Sequence, residues 1–258
     1  IQLDRSFPQN MNRLCFSPGG ILVTEFDKIF YNQFREHRVY LRIVNLLRER
    51  VLSLDQIAGR LSLPSGGGLK RYLDNLVLSD IVERYRPFGK HLDSREKKYR
   101  LVDEYILFYS KYIAPNLKTI GSSSSRRLFE RLCGPSLAGW LGLAFERFCL
   151  KNASLLARGM GFEDEVLDAS PYFQREGEGF QVDLLFQRPD RVVTLCEVKH
   201  HDSPVQTTII PEVERKCRLL PFGRGLTLER ALVSVHGPSQ SLRDAQYFHH
   251  YVTLDDLL

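Results

Sequence analysis

A chain of 258 residues, 43% apolar and 26% charged, is composed like an ordinary water-soluble protein and has room for two modest domains. No apolar run approaches a membrane span and no signal-peptide pattern opens the chain, so the expectation is a cytoplasmic protein with no membrane partner. The net charge of +5 is uneven: residues 1–124 carry 20 Lys/Arg against 13 Asp/Glu, residues 125–258 carry 16 against 18, and the basic half is either a nucleic-acid face or a solvated surface. The chain opens on Ile1 rather than Met, which suggests a processed or excised chain with a domain upstream. Residues 1–36 show one clear turn, Phe16-Ser17-Pro18-Gly19-Gly20, and no core of their own; they are expected to be the tail of that missing domain.

From residue 37 the pattern sharpens. Tyr40, Ile43, Val44 and Leu47 recur at helical spacing and predict an amphipathic helix over 38–48. Ser53 followed by Gln56 is a capping box, so a second short helix is expected over 54–62. Pro64-Ser65-Gly66-Gly67-Gly68 breaks it, and a third helix over 68–79 turns Leu69, Leu73 and Leu76 inward and Lys70 and Arg71 outward. Strands at 81–86 and 98–102 make a hairpin after the third helix. Residues 37–103 therefore read as a winged helix-turn-helix. Such a fold binds DNA or another protein. For DNA, Lys70, Arg71, Lys90, Arg95, Lys97 and Lys98 are the expected phosphate contacts.

An aromatic-rich helix over 104–118, with Tyr105, Phe108, Tyr109 and Tyr112, is expected to pack between domains and completes a 37–118 domain. Gly121 and Ser122 to Ser125 lie in a Ser-rich linker over 119–127. The 128–258 domain opens on a helix at 136–151 that is apolar on nearly every side and is expected to be buried; Glu146 lies on it with little polar company. Strands at 164–169, 180–187 and 191–199, a helix at 211–220 with Pro211 in its first turn, a strand at 230–236, a helix at 239–247 and a strand at 249–253 follow. That order predicts an α/β sandwich.

The chemistry gathers on two of these strands. Glu197 and Lys199 stand two apart, so they share a face with Val193 and Leu195, and Asp183 lies on the preceding strand. A half-buried strand face carries charge when the charges are paired or hold a metal. If Arg188 pairs with Val192 around a three-residue loop, Asp183 and Glu197 share a face; a two-residue turn would put them on opposite faces unless a bulge restores the register. In the first register Asp183, Glu197 and, from its helix, Glu146 are candidate ligands of one Mg²⁺ or Mn²⁺, and Lys199 can orient a water or stabilise transition-state charge, the requirements of phosphodiester cleavage. The competing structural reading is an internal Glu197–Lys199 salt bridge with Asp183 as a turn residue. His200 and His201 read as loop, His249 and His250 as structural, and Lys216 as a solvated helix residue or a nucleic-acid contact. Cys15, Cys133, Cys149, Cys196 and Cys217 are scattered without metal-site spacing, and buried free thiols are expected. The Gly66–Lys70 run lacks phosphate-loop spacing, and no nucleotide-binding motif occurs elsewhere in the chain, so no bound nucleotide is expected.

Glu146 on a helix, Asp183, then Glu197-Val198-Lys199 resemble the PD-(D/E)xK nuclease superfamily, whose core is the restriction-endonuclease-like fold. Tyr99 to Tyr109 and Trp140-Leu141-Gly142-Leu143-Ala144-Phe145-Glu146 resemble a family of archaeal and bacterial P-loop ATPases. There an ATPase domain is followed by a winged helix and a nuclease-like C-terminal domain. The resemblance implies an α/β (α+β overall) fold, a winged helix-turn-helix domain followed by a restriction-endonuclease-like α/β/α domain. It implies Asp183, Glu197, Lys199 and Glu146 as the catalytic set, with Mg²⁺ or Mn²⁺ held by the carboxylates, and DNA and an upstream ATPase domain as partners. The chain itself lacks Walker motifs and is not expected to hydrolyse ATP. Many members of the superfamily keep the fold as a binding module, so a non-catalytic DNA-binding or protein-interaction role stands as the alternative.

Overall fold

A computed structural model describes residues 2–34, 36–89, 97–123, 125–174, 177–189, 191–222 and 225–257. The chain divides into two compact units, residues 1–85 with 95–138, and residues 86–94 with 139–258.

The first unit is mainly helical. α1 (Phe7–Cys15) starts on a capping box made by Ser6 and Gln9, and α2 (Ile21–Gln33) follows the tight turn at Ser17–Gly20. Residues 1–36 are therefore not a coreless tail. Phe16 and Phe30 are fully buried, and Phe30 and Phe34 join the same core as Ile43, Leu73 and Leu76. Gly20 is required where it stands, because a Cβ there would sit 2.6 Å from the Leu14 carbonyl oxygen.

α3 (His37–Leu47), α4 (Leu54–Leu61) and α5 (Gly67–Leu78) are the three expected helices, each within a residue of its predicted bounds. Tyr40, Ile43, Val44, Leu47, Leu69, Leu73 and Leu76 are all buried. The capping box forms as read: Ser53 Oγ accepts from Gln56 N–H, and Gln56 Oε1 accepts from Ser53 N–H at 2.9 Å. Ser53→Ala should cost about 1 kcal/mol of stability, read as a lower urea midpoint at unchanged slope. β2 (Val82–Tyr85) and β3 (Lys98–Leu101) pair antiparallel, and β1 (Leu52–Ser53) adds a short third strand on the far side of β3. This is the winged-helix order.

The expected helix over 104–118 is not continuous. α6 (Glu104–Phe108) passes into a π-helical turn at Tyr109–Ile113 and a 3₁₀ turn at Ala114–Asn116, and α7 (Leu117–Ser122) occupies the start of the Ser-rich stretch. Pro115 has no N–H to continue the helical ladder, which accounts for the break. α8 (Leu128–Lys151) begins eight residues earlier than expected and carries the boundary between the units. It is not buried throughout: Cys133, Phe145 and Cys149 are, but Gly134, Gly139 and Leu143 are exposed.

The second unit is a five-stranded sheet in the order β4-β5-β6-β7-β8, made of β4 (Asp168–Gln174), β5 (Phe180–Gln187), β6 (Val192–Lys199), β7 (Thr227–Ser234) and β8 (His250–Thr253). β4, β5 and β6 form an antiparallel meander, and β7 and β8 run parallel to β6. α9 (Ala153–Gly159) precedes the meander, α10 (Ile210–Leu219) makes the β6–β7 crossover and α11 (Gln240–Asp244) the β7–β8 crossover. Two apolar clusters flank the sheet. Leu185, Val193 and Leu195 pack with Val213 of α10, while Leu184, Phe186, Cys196 and Val198 pack with Phe145 and Cys149 of α8 and Leu156 of α9. The result is an α/β domain in which helices pack on both faces of one mixed sheet, as the order of elements predicts. All five cysteines are free, and all but Cys217 are buried. No helix among the described residues is long and apolar enough to cross a membrane.

Candidate active site

The β5–β6 register decides where the carboxylates point. The ladder pairs Leu184 with Cys196, Leu185 with Leu195, Phe186 with Thr194 and Gln187 with Val193. Arg188 N–H then donates to the Val192 carbonyl at 3.0 Å, which closes a three-residue loop whose last residue, Arg191, has φ 63°. This is the register that sets Asp183 beside Glu197. The regular pairing ends at Leu184 and Cys196. Beyond it, Asp183 Oδ2 accepts from the Val198 backbone N–H at 3.0 Å, so the carboxylate satisfies a donor the ladder leaves open.

Glu197 is wholly buried and Asp183 nearly so. Charge at that depth needs partners. Lys199 Nζ lies 2.7 Å from Glu197 Oε1, and Lys216 Nζ lies 2.7 Å from Oε2. Lys199 follows Glu197 by two on β6, as the strand period requires. Both Glu197 oxygens are thus occupied by ammonium groups. Gln181 Nε2 donates to Asp183 Oδ1 at 3.4 Å.

Glu146, half-buried on α8, belongs to the same electrostatic group. Burial pushes its carboxyl up to about 7, with Asp183's charge the next contribution, against the pull of Lys199. Asp183 is likewise raised, first by burial and then by Glu197. For Lys199 burial works downward, but the charge and hydrogen bond of Glu197, with Asp183 and Glu146, leave its pKa raised. Asp183, Glu197, Lys199 and Lys216 therefore form one charged cluster, whose field reaches Glu146.

Lys216 is the residue the sequence reading misplaced. It is not on a solvated face of α10 but buried, held against Glu197. The signal was present: Ile209, Val213, Lys216 and Leu220 follow a 4-3-4 spacing, and the three apolar members all belong to the core. His200 is half-buried with its ring 6.0 Å from that of Phe145, and His201 is exposed. His249 Nδ1 accepts from Arg230 N–H, and His250 Nε2 lies 3.1 Å from Glu229, both structural contacts.

Among the described residues no three His, Cys, Asp or Glu side chains come together as a preformed metal cage. Mg²⁺ is characteristically held by one or two carboxylates plus water and substrate phosphate. Asp183 and Glu197 fit that donor set, provided one lysine yields an oxygen of Glu197.

The expected DNA contacts are distributed as follows. Lys70 and Arg71 are exposed on α5, with Arg71 Nη2 3.9 Å from Glu36; Lys97 is exposed and Lys98 half-buried at the start of β3. Lys90 and Arg95 lie outside the described residues.

No family model matches the chain. An uncharacterized protein of Methanocaldococcus jannaschii is 30% identical over 96 residues, 37% of this chain and 22% of that protein, so the chain matches about a fifth of its relative's length. Among solved structures, NadR in complex with 4-hydroxyphenylacetate is similar at 23% identity and a TM-score of 0.25, over 54% of this chain and 83% of that one. The SdaI restriction endonuclease is similar at 14% identity and a TM-score of 0.27, over 95% of both chains. Scores this low carry no functional argument, and the fold and site stand on the topology and contacts above.

Proposed function

We propose that the second unit is a Mg²⁺-dependent DNA endonuclease module and that the winged helix supplies its grip on DNA. The sequence resemblance further suggests that the full-length protein joins it to an upstream P-loop ATPase domain. The observation that carries the reading is the β5–β6 register, which sets Asp183 beside Glu197 and Lys199 as the PD-(D/E)xK motif requires.

In this reading Asp183 and Glu197 would hold the metal, with Glu146 close enough to feel both charges. A bound Mg²⁺ would supply Lewis acidity toward a phosphate oxygen. Lys199, one-third exposed, reaches from Glu197 toward solvent and stabilises the negative charge that builds on the phosphate. Glu146, titrating at about 7, can take or return a proton at neutral pH. Lys216 is a positioning residue, fixing the second oxygen of Glu197.

The test is cleavage of plasmid and single-stranded DNA in Mg²⁺ or Mn²⁺, beside calorimetric metal binding. Asp183→Ala should lose cleavage by at least ~100-fold together with metal binding, while Lys199→Ala should lose cleavage and keep the metal. The site in which both oxygens of Glu197 are taken by lysines also suits a non-catalytic module. A wild-type chain that binds DNA in a salt-dependent way, yet neither cleaves nor binds metal, would establish that alternative.

A further inference from the structure

A second charged site lies in the first unit, on residues that the proposed nuclease site does not use. Residues of α1, the turn after it and the segment leading into α8 line a cleft of about 940 Å³. That is the size of a small-molecule or cofactor site. Four arginines line it, Arg5, Arg13, Arg126 and Arg127. Among the described residues, Arg5, Arg13 and Arg126 make no ion pair and Arg13 Nε has no hydrogen-bond partner.

The walls are built rather than accidental. The buried Asn10 side chain donates to the carbonyls of Gln2, Arg5 and Ser6, which fixes the segment carrying Arg5. Asn12 ties α1 to the first turn of α8, accepting from Phe129 N–H at 2.9 Å and donating to Glu130 at 2.7 Å. Ser123 and Ser125 hydroxyls accept from the backbone N–H groups of Ser125 and Arg127, setting the stretch that bears Arg126 and Arg127. Two carboxylates, Asp4 and Glu130, share the lining. Glu130 is engaged by Asn12 and, at 3.8 Å, by Arg127, and the Asn12 hydrogen bond holds its pKa low. Four guanidinium groups against two carboxylates leave the cleft cationic. Guanidinium forks match phosphate oxygens in pairs, and Pro8, Phe16 and Pro18 give an apolar flank.

We propose that this cleft binds a phosphate-rich small molecule, a nucleoside or inorganic polyphosphate, gripped by Arg5, Arg13, Arg126 and Arg127. The absence of a Walker motif excludes one way of cradling phosphates, the glycine-rich loop, and leaves an arginine cluster as another.

The test is calorimetric titration of the 258-residue chain with sodium tripolyphosphate and with ATP, in EDTA and at matched ionic strength. Saturable binding is expected. Arg126→Ala, an exposed position that leaves the fold intact, and Arg13→Gln should each weaken it about tenfold. Arg218→Ala, which removes an exposed charge on α10, should leave it unchanged. ATP binding tighter than tripolyphosphate would identify a nucleotide using the apolar flank; equal binding would identify the inorganic chain. Dissociation constants above about 1 mM for both, an equal loss in Arg218→Ala, or displacement of tripolyphosphate by a short single-stranded oligonucleotide at lower concentration would overturn the proposal.

Discussion

Glu197→Ala should destabilise the protein by about 3–5 kcal/mol, more than any other single change in the charged cluster. Glu197 is wholly buried and receives Lys199 and Lys216 at 2.7 Å each. Removing it leaves the buried Lys216 ammonium without the carboxylate it donates to, and the loss of an ion's partner costs more than the pair contributes. Lys216→Met is the informative companion. It fills the same volume with an apolar chain and leaves Glu197 one lysine, so its cost should be smaller, about 1–2 kcal/mol. The Glu197→Ala deficit should also shrink as pH rises. A lysine stripped of its partner has a depressed pKa in the folded state, so the unfolded chain binds more protons and stability climbs with pH. Urea unfolding in EDTA between pH 7 and 9 reads all three effects. A Glu197→Ala midpoint equal to wild type would mean that the double clamp on Glu197 does not exist in solution.

The same cluster shows what was readable in the sequence. Glu197 and Lys199 were legible because a strand repeats every two residues. The register was not legible, since a two-residue turn was as open as a three-residue loop, and the structure decides it by pairing Gln187 with Val193 and closing the loop at Arg188 and Val192. The winged helix was legible from local chemistry, a capping box at Ser53 and leucines at helical spacing in α5. What failed was whatever depended on distant partners. β4 was expected over 164–169 but runs Asp168–Gln174 through Pro171; β4 is an edge strand and its ladder shifts between Ser170 and Tyr172, so the missing N–H is tolerated. Residues 1–36 hid their helices because Phe16, Phe30 and Phe34 are spread over two short segments and find their core elsewhere in the unit. The stretch 136–151 is apolar on nearly every side, a pattern that predicts burial, yet Gly139 and Leu143 lie on an exposed part of α8. Lys216 was judged by its charge when the spacing of its neighbours, Val213 and Leu220, already placed it inward.

Glu146→Gln should stabilise the metal-free protein at alkaline pH and do nothing in acid. Burial, then the charge of Asp183, pushes the Glu146 carboxyl up to about 7 in the folded chain, from an ordinary value of 4.5. Between those values the folded state holds a proton that the unfolded state has released, so this group's contribution to stability falls as pH rises through the window and stays low above it. Glutamine keeps the shape and removes the titration. Discounted for the part of the side chain that water reaches, the gain at pH 8 is about 1–2 kcal/mol, vanishing by about pH 4.5. Paired urea titrations in EDTA across that range measure it as a difference between the two proteins, in which titrating groups outside the cluster cancel. A difference that is constant with pH would mean that neither burial nor the charge of Asp183 raises the Glu146 carboxyl. Repeating the titration in Mg²⁺ links stability to the proposed site. A cation held by Asp183 and Glu197 favours the charged form of Glu146, so the advantage of glutamine should shrink or reverse. If the two curves are the same with and without Mg²⁺, these carboxylates do not hold the metal, and the nuclease reading fails with them.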